Sequence, residues 1–221
     1  FIRKDAFAPV LSTGWTWGEL RNINYFIVNN NDQKVPAEAR RHYQGVARFF
    51  RAYFYFEKVV RFGNVPWINK PLDVADADLF GDRDPRALVM DSVLADINYA
   101  CANLRESKDP TRSLITKWVA YAFKSRLALF EGTFRKYHTE PEVSLEETAD
   151  FWLNEAAMAA RTVMDEGGYS INTTGGPGKS YRQVFTSATP VTSEVILASV
   201  MDLTLNELND ANWYWTSGTY G

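Results

Sequence analysis

Cysteine is nearly absent from this sequence: Cys101 stands alone in 221 residues, which excludes an internal disulfide and any metal site built from several thiolates. Histidine is almost as scarce, with only His42 and His138. Glu38 lies at ligand spacing, four positions before His42, but a bound metal needs three or four converging donors. No metal and no cofactor are therefore expected. A basic surplus is missing too: 24 Lys and Arg against 27 Asp and Glu leave a net charge of -3, unsuited to neutralising a phosphate backbone, so nucleic acid is not an expected partner. No apolar run approaches the roughly 18 to 20 residues that a membrane-spanning helix needs. There is no signal-like segment at the start, and no initiating Met, so the chain reads as a piece of a longer protein.

Catalytic motifs are equally thin. No Gly-x-Ser-x-Gly occurs, and Gly178-Lys179-Ser180 resembles the end of a phosphate-binding loop whose first glycine is replaced by Thr173. Cys101, between Ala100 and Ala102, has the setting of a small buried thiol. Glu131 sits in the apolar stretch LALFEG at 127–132, but glycoside hydrolysis needs a pair of carboxylates. The chain is expected not to be an enzyme. A helical toroid glycoside hydrolase, with Glu131 as one acid, is one alternative, and a peptide-binding helical-repeat scaffold is the other.

What the sequence has in quantity is apolar and aromatic residues, 46% and 14% of the total, arranged at helical period. The spacing predicts helices over 18–30, 36–62, 86–104, 112–137 and 144–166, the last opening on Ser144 and Glu147 at capping-box spacing and ending at Gly167-Gly168. Aromatics surround the second half of the 36–62 helix (Tyr43, Phe49, Phe50, Tyr53, Phe54, Tyr55, Phe56), which predicts burial on every side. That helix and the one at 112–137 are expected at the centre. Residues 194–200 read as a short strand or a buried turn. Paired helices with short links predict a mainly α, tetratricopeptide-like helical-repeat scaffold with long loops. Charge is uneven, with 11 basic and 5 acidic residues over 1–70 against 3 and 12 over 139–221. The two ends are expected to attract one another.

Several aromatics fall outside these periods: Trp15 and Trp17 before the first helix, Trp67 in the proline-containing stretch at 63–71, and Trp213, Tyr214 and Trp215 near the end. Their faces suit the apolar C–H faces of sugar rings, and Asn209, Asp210 and Asn212 add hydrogen-bonding groups beside the last three. Singly, each more often fills a gap between helices. As a group they predict a ligand site, with Trp15, Trp67, Trp213, Tyr214, Trp215 and Asn212 as the candidate ligand-binding residues.

Seven blocks, in order, resemble the SusD/RagB family: WGELRNINYFI at 17–27, RAYFYFEKVVRFGNVP at 51–66, RDPRALVMDSVLADINYA at 83–100, TKWVAYAFKSRLALFEG at 116–132, GYSI at 168–171, YRQVF at 181–185 and SEVIL at 193–197. Asn64 replaces the commoner Asp of the family's G-D-V-P, and Lys58 stands where Leu is usual. The resemblance implies a single partial domain over 1–221, with the helical scaffold at about 18–166 and a loop-rich segment at 167–221. The lipidated N-terminal segment and the C-terminal half of such proteins would be missing. It further implies a surface-exposed outer-membrane lipoprotein of Bacteroidota that binds a glycan or another nutrient without catalysis. Its partner would be a SusC-type TonB-dependent transporter, and its membrane contact a lipid anchor absent from this chain.

Overall fold

A computed structural model describes residues 14–138, 144–201 and Thr204. The order is α1 (Gly18–Asn29), α2 (Ala37–Phe62), a 3-10 turn (Ala77–Phe80), α3 (Arg86–Asn103), α4 (Lys117–Tyr137), a second 3-10 turn (Glu146–Thr148), α5 (Ala149–Glu166) and the short α6 (Ser180–Thr186). Each long helix packs on its neighbours in sequence, α1 on α2, α2 on α3, α3 on α4 and α4 on α5. This is the mainly α, tetratricopeptide-like stack that the periodicity predicts. Among the described residues there is no strand, only an isolated bridge between Val65 and Asp84.

Proline and glycine set the boundaries that were legible in advance. Pro36 and Pro85 precede α2 and α3, where the missing N–H is no loss. Gly63 ends α2 at φ 69°, ψ -115°, a conformation that side chains disfavour. Asn64, the departure from G-D-V-P, has a job of its own: its Oδ1 accepts from the Arg86 amide at 3.0 Å and caps α3.

Three expectations are corrected. Helix α4 starts at Lys117 rather than 112, because Asp109 draws the amides of Ser113 (2.9 Å) and Leu114 (3.2 Å) into a loop and Arg112 takes φ 54°. Helix α5 starts at Ala149 rather than 144: Ser144 has φ 45°, so its capping box with Glu147 does not form. Residues 194–200 form turn and irregular chain rather than a strand, held by separate bonds such as Ala198 N–H to Arg112 C=O at 2.8 Å, with Ile196 packed against the core.

The core runs through all five long helices, from Leu20 through Tyr55, Phe56 and Val59 to Val93 and Ile97, then Phe123 and Leu127, and finally Trp152. Gly132 lets α5 approach α4: a Cβ there would lie 2.8 Å from Leu153 Cγ and 2.9 Å from its backbone nitrogen. The expected all-round burial of α2 does not hold among the described residues. Tyr43, Phe50 and Tyr53 stay half exposed, because α1 and α3 cover only part of its circumference. Cys101 is buried in α3, and burial pushes its thiol up to about 12. Native protein at pH 8 is therefore expected to resist iodoacetamide for hours, since the thiolate is the nucleophile, while urea-unfolded protein reacts within minutes; mass spectrometry reads the difference.

Candidate functional site

Between the start of α1 and the loop at 66–81 lies a cleft of about 540 Å³, floored by Trp15, Trp17 and Leu20 and rimmed by Arg21, Lys70, Asp73 and Asp78. Its floor is fixed by aromatic packing. Trp15 meets Trp17 edge-on at 5.0 Å and Phe62 at 4.9 Å, and Trp17 meets Phe54 at 5.6 Å. The Arg83 guanidinium sits 4.9 Å from the centre of the Trp15 ring. Lys58, the second departure from the family pattern, is buried in α2 and donates to the Gly14 carbonyl, fixing the chain just before Trp15. Burial holds its ammonium below the ordinary lysine range.

The opposite wall is tied down by a buried polar chain. Asn24, fully buried on α1, donates to the carbonyls of Ile68 (2.9 Å) and Lys70 (3.3 Å). Its Oδ1 accepts from Arg51 at 3.1 Å, and Arg51 forms a two-point pair with Asp96 at 2.6 and 2.8 Å. Lys70 spans Asp76 (3.1 Å) and Asp78 (3.0 Å), shaping the acidic loop. Arg21 is exposed and has no ion-pair partner among the described residues. An apolar floor with a few charged and amide groups at the rim is the usual composition of a small-molecule site.

The predicted site residues divide accordingly. Trp15 lines the cleft. Trp67 does not: it is half buried, its ring 4.3 Å from Tyr55 and 5.3 Å from the Arg51 guanidinium, and its amide donates to Asp84 at 2.7 Å. Trp213, Tyr214, Trp215 and Asn212 lie outside the described residues. Sequence reasoning left Trp17 and Arg21 out of the site, although they are four apart on one helical face, a spacing that brings side chains together. The rim residues at 70–78 lie in the long loop that its prolines, Pro66 and Pro71, and the acidic run from Asp73 to Asp84 mark as a place for function, but only the fold brings them to α1.

Residues singled out for other chemistries are engaged structurally. Glu131 is fully buried, with Oε2 accepting from Arg86 at 2.8 and 3.0 Å and Oε1 from Arg135 at 2.8 Å, so neither oxygen faces a cleft. Ser180 opens α6, its hydroxyl bonded to Gly176 C=O at 2.8 Å and Gly175 N–H at 3.1 Å. Among the described residues, no three His, Cys, Asp or Glu side chains gather as a metal site.

Comparison with known proteins gives a consistent picture. Residues 19–129 match the SusD-like family described as starch-binding and associating with the outer membrane. SusD-like protein P2 of Formosa agariphila is 29% identical over 129 residues, 58% of this chain and 24% of that protein. A SusD-like protein of Bacteroides fragilis superimposes with a TM-score of 0.64 at 24% identity, over 81% of this chain and 31% of its own. A laminarin-binding SusD-like protein also reaches 0.64, at 19% identity, over 83% and 36%. The structural likeness is one of fold, and the chain spans about a quarter to a third of the length of these relatives. Half of the chain matches the family, in the stretch holding α1 to α3 and most of α4, and the protein belongs to the SusD-like family.

Proposed function

We propose that this protein is a portion of a non-catalytic, surface-exposed outer-membrane lipoprotein that captures a glycan and delivers it to a SusC-type TonB-dependent transporter. The observation that carries the reading is the cleft with Trp15 and Trp17 as floor and Arg21, Lys70, Asp73 and Asp78 as rim. A Trp face packs on a pyranose ring, and the rim groups hydrogen-bond its hydroxyls. Family membership and the laminarin-binding neighbour agree with that ligand class. Trp213, Tyr214, Trp215 and Asn212 are further ligand contacts in this proposal. Trp67 serves it from behind, holding the loop that carries Lys70. The helical stack supplies the transporter contact.

Isothermal titration with laminarin, xyloglucan and starch oligosaccharides tests the cleft. Arg21→Ala, on an exposed position, and Trp17→Ala are expected to weaken the bound glycan tenfold or more, with helical circular dichroism retained. Trp213→Ala is expected to weaken it as well. Unchanged affinity in both Arg21→Ala and Trp17→Ala rejects this cleft as the site.

A further inference from the structure

A second cleft, of about 460 Å³, opens between the first half of α2 and the loop leading into α4. Its helical wall carries His42, Tyr43 and Phe50, and its loop wall carries Arg105, Lys108 and Asp109. Tyr43 and Phe50 are 52% and 44% exposed, too open to be core, and seven residues of helix set them about 10 Å apart along the axis. Arg105 is held in place by its Nε–H, which donates to His42 Nε2 at 3.1 Å. That bond leaves both Nη groups of Arg105 without a protein partner among the described residues. Lys108 lies 3.9 Å from the centre of the Tyr169 ring and donates to Gly167 C=O, with no carboxylate paired to it. Arg112, in the same loop but outside the cleft lining, donates through its two Nη groups to the carbonyls of Asp109 and Thr192.

The one carboxylate in the cleft is already occupied. Asp109 accepts from Thr111 Oγ1 at 2.6 Å, Ser113 N–H at 2.9 Å and Leu114 N–H at 3.2 Å, all within its own turn. Burial opposes its charge, but these bonds outweigh it and hold the group at about 2. Glu106 is likewise taken, by Lys117 at 2.6 Å. Two cations, Arg105 and Lys108, thus face one internally bonded anion. His42 is lowered by burial first and then by the Arg105 charge, and Lys108 by burial first and then by Arg112. A cleft lined by charge of one sign concentrates ligands of the other.

We propose that this second cleft binds an acidic sugar, a uronate or sulfated residue, with its anionic group on the Arg105 and Lys108 side chains and its ring against Tyr43 and Phe50. Arg105 presents a two-point donor fork suited to a carboxylate or a sulfate. The ligand class rests on the carbohydrate-binding reading above, but the residues are separate from the Trp15 and Trp17 cleft. The protein would then select glycans carrying charge as well as ring faces.

Titration of the full chain with a matched pair tests this: a tetrasaccharide of β-1,4-linked glucuronate and cellotetraose, which differ at C6 alone. Glucuronate tetrasaccharide is expected to bind at least tenfold more tightly than cellotetraose, and more weakly as sodium chloride rises from 50 to 200 mM. Arg105→Gln and Lys108→Gln, both on a surface loop, are expected to weaken the uronate tenfold each. Tyr43→Ala is expected to weaken it severalfold, and Arg105→Gln to leave neutral glycan binding unchanged. Uronate affinity indifferent to Arg105→Gln, or to Tyr43→Ala, overturns the proposal and leaves the aromatic pair as a surface for polypeptide. Inorganic sulfate competing as strongly as the tetrasaccharide also overturns it, as a bare anion site. If neutral glycans bind in an Arg21-dependent way while the uronate pattern fails, only this inference falls. If no glycan binds at all, the reading of the first cleft falls with it.

Discussion

Glu131→Gln is expected to lower the free energy of unfolding by about 3 to 5 kcal/mol, the usual cost of removing one partner from a buried ion pair. The substitution preserves volume, so the loss reports charge. Arg86 from α3 and Arg135 from α4 both converge on this carboxylate, at 2.8 Å on opposite oxygens. Each guanidinium is otherwise enclosed by rings: Arg86 lies 3.5 Å from the centre of Phe134, and Arg135 lies 4.9 Å from that of Trp152. Neither can turn to water without opening the joint between α3, α4 and α5. Arg135 also reaches Thr148 Oγ1 at 2.7 Å, so the disturbance extends to the entry of α5. The substitute anion is Asp91, 3.9 Å from Arg135 Nη2, and its exposure makes it a poor one. Urea denaturation followed by circular dichroism gives the answer as a shift in midpoint at constant slope. A loss below about 1 kcal/mol, the range of surface substitutions, would show that both arginines are hydrated.

The same residue shows where sequence reading stops. Glu131 within LALFEG is visible as a carboxylate in apolar company, which fits an acid catalyst as well as a structural anchor. Its two arginines lie 45 residues before it and 4 after it, and only the stacking of α3 on α4 chooses between the roles. Asn24, Arg51 and Asp96 form a second buried polar chain that periodicity passes over, since each sits in a run that also carries surface charge. Boundaries marked by Pro36, Gly63, Pro85 and Gly167 were legible because those residues restrict the backbone directly. The start of α4 was not, because Asp109 competes for its amides through side-chain bonds that composition does not reveal. In the site, Trp15 stood out as an aromatic without a helical period. Its rim arrives from the 66–81 loop, and that loop is placed by Asn24 across 44 residues.

Phe54→Ala is expected to cost about 3 to 5 kcal/mol and Phe50→Ala less than about 1 kcal/mol, measured side by side by urea unfolding. Both residues lie on α2, and four positions at 3.6 residues per turn separate them by only about 40° around the axis. Helical period alone therefore assigns them the same environment. What separates them is cover. Phe54 is 8% exposed: Trp17 packs on its edge at 5.6 Å, Tyr55 at 5.4 Å, and the Lys58 ammonium lies 4.8 Å from its ring centre. Truncation there empties a filled space beneath the floor of the Trp15 cleft and removes an apolar support of Lys58, so glycan affinity is expected to fall along with stability. Phe50 has Phe49 on one edge at 5.4 Å, and its outer face forms part of a groove of about 730 Å³. Its truncation removes surface that water already reaches, so the fold loses little while the second cleft loses one of its rings. Equal and large costs at both positions would show that residues beyond the described ones cover that groove, restoring the all-round burial that the aromatic density of α2 predicts.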